Sequence, residues 1–170
     1  MKTNNILRTA MASAVFLSMC FNPIIAQNKK EDKQTAVRNM VELQQYVFKA
    51  QYVLPTTGSQ RALTSDYDLT VSKSAVSSYL PYFGRAYVAP INPTEGGIKF
   101  NSSKFQYIKE DNKKGGWDIT IIPKDAADVQ KLNLRISSSG YATLQVTSTN
   151  RQPISFNGVI EENRQSKRAF

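Results

Sequence analysis

The chain has 170 residues, one cysteine, no histidine, and a formal charge of +9 from 22 lysines and arginines against 13 acidic residues. Without histidine there is no Ser-His-Asp relay, no Cys-His pair, no histidine-bound zinc and no H-E-x-x-H helix. The length suits one ordinary domain with a sizeable core.

The first 26 residues read as a secretory signal peptide. Lys2 and Arg8 make a basic start, residues 10–21 are apolar, and Ile24-Ile25-Ala26 offers a small residue for cleavage before Gln27. The apolar run is too short to span a bilayer comfortably. Leu17-Ser18-Met19-Cys20 resembles the box before a lipid-modified cysteine, but Met19 is too large for the position preceding that cysteine. Lipid anchoring through Cys20 is therefore the minor alternative. The expected location is periplasmic or secreted, and no second apolar run of transmembrane length follows. The mature chain then has no available thiol, so disulfides, thiol catalysis and Fe–S clusters are excluded. Removing Lys2 and Arg8 from 22 cations leaves 20 against 13 anions, a formal charge of +7. In an exported protein this points to anionic headgroups or acidic glycans of the envelope rather than to nucleic acid. A surface charge that only maintains solubility is the simpler account of it.

Residues 27–34 form a polar, charged lead-in, expected to be mobile. From 33 to 45, Val37, Met40, Val41 and Gln44 keep three-four spacing, which predicts one amphipathic helix that covers an open end or face of a sheet. The period then becomes 2. Phe48, Ala50, Tyr52 and Leu54 alternate with Lys49 and Gln51 before Pro55-Thr56-Thr57-Gly58 stops the run. Tyr67, Leu69 and Val71 form a second strand, and Lys73-Ser74 turns the chain into a third over 75–80. A long connection over 81–97 carries Pro90, Pro93 and Gly96-Gly97. Short strands follow around Ile98-Lys99-Phe100 and Phe105-Gln106-Tyr107. A hairpin turn at 112–116 then precedes Trp117, Ile119 and Ile121. Residues 125–128 suggest a single helical turn. Strands follow at Leu132–Ile136 spacing, at Ala142, Leu144 and Val146, and at Ile154 and Phe156, before a basic tail over 163–170.

The predicted fold is mainly β: eight to nine short strands over 35–162, joined without crossover helices and hence antiparallel. One helix cannot cover so many half-apolar strands, which favours closure into a barrel over a two-layer sandwich. A barrel of this size is filled by side chains or holds one small ligand.

The densest aromatic stretch lies at the end of the third strand. Tyr79, Tyr82, Phe83 and Tyr87 crowd around Pro81, Gly84 and Arg85. Aromatic side chains with a polar tip suit a half-buried, half-wet rim. The candidate ligand-binding residues are Tyr79, Tyr82, Phe83, Arg85 and Tyr87, with Trp117 in addition. Arg85 either grips an anionic or sugar ligand over the rings or ties the loop's own carbonyls.

The string Ser78-Tyr79-Leu80-Pro81-Tyr82-Phe83-Gly84-Arg85-Ala86-Tyr87 is specific. With it go Gly97-Ile98-Lys99-Phe100, Gly116-Trp117, Tyr141-Ala142-Thr143-Leu144 and Asn150-Arg151-Gln152-Pro153-Ile154. In these residues, from about position 41 to 162, the chain resembles the exported bacterial family called domain of unknown function 4251. The resemblance implies an antiparallel β-barrel with lipocalin-like topology in a cell-envelope or secreted setting. It implies no activity, cofactor or functional residues.

Among carboxylates, Asp66 and Asp68 are two apart and point to one face, as a calcium site or a hydrolytic pair requires. No third ligand lies nearby and Asp68 falls on the polar face, so a solvated strand end explains them as well. No metal or cofactor is expected. The function expected is a non-catalytic envelope binding domain for an apolar or anionic glycolipid-type ligand at the barrel mouth. The alternatives are an interaction subunit that docks another envelope protein, then a carboxylate-dependent hydrolase.

Overall fold

The structure, a computed structural model, describes residues 24–87, 96–113 and 115–163. Residues 1–23, which hold most of the expected leader and Cys20, and residues 164–170 of the basic tail lie outside the described residues, as do 88–95 of the long connection.

The chain divides into two compact units, Met1–Lys33 and Gln34–Phe170, and the second holds every strand. Helix α1 (Ile24–Leu43) starts earlier than the predicted residue 33. Residues 27–34, expected as a mobile lead-in, are therefore helical. They read Gln-Asn-Lys-Lys-Glu-Asp-Lys-Gln, with no proline or glycine to stop a helix. In the second unit Val37 and Val41, one turn apart, are buried, and Met40 packs against the same core. Gln44 ends the helix in the left-handed conformation at φ 52°, its amide donating to the Val41 carbonyl at 3.1 Å.

Nine strands follow: β1 (Tyr46–Pro55), β2 (Arg61–Val71), β3 (Val76–Leu80), β4 (Ile98–Ser102), β5 (Phe105–Asp111), β6 (Gly116–Pro123), β7 (Val129–Ser137), β8 (Tyr141–Ser148) and β9 (Ile154–Glu162). They form one antiparallel sheet in the order β4-β3-β2-β1-β9-β8-β7-β6-β5, curled into a nearly closed barrel. Because β1 is antiparallel to both β2 and β9, counting outward in both directions makes β4 and β5 run the same way. They are two halves of one bent strand, broken at Ser103-Lys104, that begins at one edge of the sheet and ends at the other. Nine segments thus fill eight barrel positions.

The bend is held by Asp125. Its carboxylate accepts from the Ser102 hydroxyl, from the Ser103 amide at 3.0 Å and from the Lys104 amide at 3.2 Å. These donors, the Ser102 hydroxyl foremost, hold its pKa below the usual carboxylate value. Residues 125–128, expected as a helical turn, are bends instead, because this carboxylate is committed to the neighbouring strand. Beside it the Lys124 amide donates to the Lys104 carbonyl at 2.7 Å, carrying the pairing of β6 toward β4.

One face of each strand fills the barrel. Tyr46, Phe48, Leu69, Leu132, Leu144 and Phe156 all have 0% exposure. A void wide enough for water beside any of them would show as accessible surface, so the interior around these side chains is packed. The Tyr46 and Tyr107 hydroxyls meet inside at 3.2 Å, which satisfies two polar tips in an apolar setting.

The alternation predicted for β1 breaks midway. Ala50 pairs with Gly158 and Tyr52 with Asn157, so Gln51 is a bulge. Tyr52, expected on the inner face with Phe48 and Ala50, is 42% exposed, and Val53 takes the inward place at 0%. Gly158 accounts for the tight approach here: a Cβ on it would lie 1.9 Å from the Lys49 carbonyl oxygen.

By strand direction, one end of the barrel carries the end of α1 with the connections 72–75, 112–113 with 115, and 138–140. The other carries 56–60, 81–87 with 96–97, 124–128 and 149–153. The aromatic stretch belongs to this second end.

Candidate functional site

After β3 the buried Pro81 ends the ladder, since proline has no amide to donate. The next residues lie along the 149–153 connection. Ala86 bridges Arg151, the Tyr87 amide donates to the Asn150 carbonyl at 2.8 Å, and the Gln152 amide donates to the Arg85 carbonyl at 3.1 Å. The lip is thus a short extra ribbon laid across the barrel end, not a free loop, over the residues described.

Tyr82 is its anchor. The hydroxyl lies 2.8 Å from the Arg85 carbonyl and 3.1 Å from the Gln152 carbonyl, its one proton shared between them. Burial pushes its pKa up. Gly84 leaves room for the ring, because a Cβ there would sit 2.5 Å from the Tyr82 hydroxyl. Over that ring lies the Arg151 guanidinium, 5.2 Å from the centroid. Arg151 also holds Asp128 at 2.9 Å and donates to the Gly97 carbonyl at 3.0 Å, with only 15% of its side chain exposed.

The guanidinium-on-ring role foreseen for Arg85 is therefore filled by Arg151. Arg85 is exposed and contributes its backbone to the ribbon. Among the other predicted site residues, Tyr79, Phe83 and Tyr87 are 49%, 43% and 65% exposed. Tyr79 stacks on Tyr67 at 5.7 Å and carries the Lys99 ammonium at 5.0 Å. Phe83 carries the Arg61 guanidinium at 5.6 Å. None of the four ion pairs among the described residues involves Arg61, Arg85 or Lys99. The lip therefore presents rings interleaved with cations that those pairs leave uncompensated.

Trp117 does not join this group. It is buried on the inner face of β6, next to the 112–115 connection at the opposite end of the barrel. Asp66 and Asp68 do not converge inward either. Asp66 is exposed, and Asp68 pairs with Lys49 at 2.9 Å on the outer face. No cluster of three or more His, Cys, Asp or Glu side chains is placed to hold a metal among the described residues.

Arg61 and Arg151 are the site residues that reading the sequence misses. Arg151 stands in the Asn150-Arg151-Gln152-Pro153-Ile154 string that carries part of the family resemblance, which is the signal that marks it. Arg61 has no such signal, because only the fold brings it over Phe83.

No curated protein matches the chain. Among solved structures, it is similar to a DUF4251 family protein from Bacteroides eggerthii, with TM-score 0.57 and 15% identity over 81% of this chain and 91% of that one. At that identity the likeness speaks for the fold alone. The sequence profile described as "Domain of unknown function (DUF4251)" matches residues 28–160, which takes in α1 from its second turn and nearly the whole barrel, and the chain belongs to that family.

Proposed function

We propose that this chain is a non-catalytic binding domain, exported to the cell envelope or secreted, that takes an anionic, partly apolar ligand of glycolipid type at the aromatic lip. The carrying observation is the set Arg61, Arg85 and Lys99 among exposed rings, with no ion-pair partner among the described residues. Rings supply apolar contact, and cations supply attraction for a phosphate or carboxylate headgroup. The packed interior supports recognition at the lip's outer surface, in place of a ligand enclosed by the strands. Export rests on the leader pattern of the first 26 residues.

The test is co-sedimentation of the protein with vesicles of zwitterionic lipid, with and without an anionic glycolipid. Binding is expected only with the anionic component, weakening as salt rises, and severalfold weaker in Phe83→Ala and Lys99→Ala. Equal behaviour of both vesicle types, or no effect of either variant, would sink the reading.

The packed interior also favours a second reading, in which the lip docks another envelope protein. Arginine and tyrosine suit a protein hot spot as they suit a headgroup. Purification from the native envelope separates the two: a protein partner travels with the domain and is lost on Phe83→Ala.

A further inference from the structure

A second surface, sharing no residue with the lip, lies on the outer wall of β1, β9, β8 and β7. The bulge at Gln51 turns Tyr52 out of the barrel and sets it opposite Asn157, which in turn faces Thr143 on β8. Tyr141, two residues before Thr143 and so on the same face, is 63% exposed. The two rings stand diagonally across β9, two strand spacings or roughly 10 Å apart sideways. They wall an open groove of about 650 Å³ that Gln51, Gln60 and Arg135 also line.

We infer that this groove binds an oligosaccharide. A pyranose has flat C–H faces and a rim of hydroxyls, so it needs aromatic plates with directional donors and acceptors between them. Tyr52 and Tyr141 are the plates. Between them Thr143 donates to Asn157 Oδ1 at 2.9 Å, which fixes the amide and leaves its NH₂ as the donor end. Arg135 is steadied from the other side, its Nε donating to Asp118 at 2.7 Å, so its terminal nitrogens can meet a hydroxyl or a uronate carboxylate. Here the only large hydrophobic side chains exposed along the groove, among the described residues, are the two tyrosines, and they are separated by amide and hydroxyl groups. The volume lies within the range of small-ligand sites. The inference stands apart from the lip reading, since it uses different residues and a different probe.

Titration calorimetry of the full chain tests it, with three probes: a β-linked glucose hexasaccharide, an α-linked one and an oligogalacturonate. Saturable binding of at least one is expected, weakened about tenfold in Tyr52→Ala and in Tyr141→Ala and unchanged in Ile108→Ala, an exposed position on β5 that belongs to neither surface. Ring-proton shifts of Tyr52 and Tyr141 in the unsubstituted protein, on adding the same probes, give a second measurement that does not depend on how a variant folds. No saturable binding by millimolar probe, or binding that both tyrosine variants leave intact, overturns the inference. So does self-association that depends on the tyrosines without saccharide binding, which would mark the wall as a protein interface.

Discussion

Arg151 reaches Asp128, the Gly97 carbonyl and the face of Tyr82 from one largely buried side chain. Removing it leaves a carboxylate and a carbonyl without their donor, which costs more than the pair itself contributes. Arg151→Ala is expected to lower stability in urea by about 2 kcal/mol, discounted for the part-exposed Asp128. Arg85→Ala should fall within about 0.5 kcal/mol of the parent, since its side chain is on the surface. The reverse ranking would mean that the lip is held differently. The interior tyrosines give a pH signature. Burial, the main cause, raises Tyr107 to about 12 and Tyr46 well above its usual value. The unfolded chain loses these protons near pH 10 while the folded one keeps them, so their contribution is intact below about pH 10 and is lost as pH rises beyond it. Alkaline unfolding of Tyr107→Phe should show a shallower fall in stability over that range. An unchanged slope would place the titration elsewhere.

At the scale of the element, the middle of β1 matters most for what the barrel shows to solvent. The bulge at Gln51 exists beside Gly158, whose missing side chain lets the Lys49 carbonyl come close. In Gly158→Ala the two strands must part, at an expected cost of about 2–3 kcal/mol, read as a lower denaturant midpoint. Should the variant be as stable as the parent, the close approach is not what the bulge requires. Tyr52 illustrates how far the alternation was legible. Its strand and its neighbours Phe48 and Ala50 are correctly placed by period 2, but a one-residue bulge inverts every later side chain. Nothing local in Lys-Ala-Gln-Tyr announces it, since the cause sits on β9. Helix α1 shows the same limit: the spacing of Val37, Met40 and Val41 marks its packed face, whereas its polar stretch over 27–34 carries no periodic signal.

For the whole molecule, closure rests on the bent strand β4–β5 and on a core that leaves no water-sized gap beside its central side chains. Phe156, at 0% exposure in that core, should cost about 3–5 kcal/mol when cut to alanine. The parent should take up no uncharged apolar fluorescent dye saturably. Uptake by the parent would mean the interior opens in solution. The recognition proposed above then lies on the outside, at the lip and on the wall of Tyr52 and Tyr141. Composition and period alone determined the mainly antiparallel β fold, the covering helix and the exclusion of histidine chemistry, because these depend on residue types and near neighbours. Only the tertiary structure decided which cation meets Tyr82, which tyrosines face solvent and how nine segments fill eight places. Each of those depends on a partner far along the chain, as Tyr82 and Gln152 meet across 70 residues, and no local pattern encodes such a meeting.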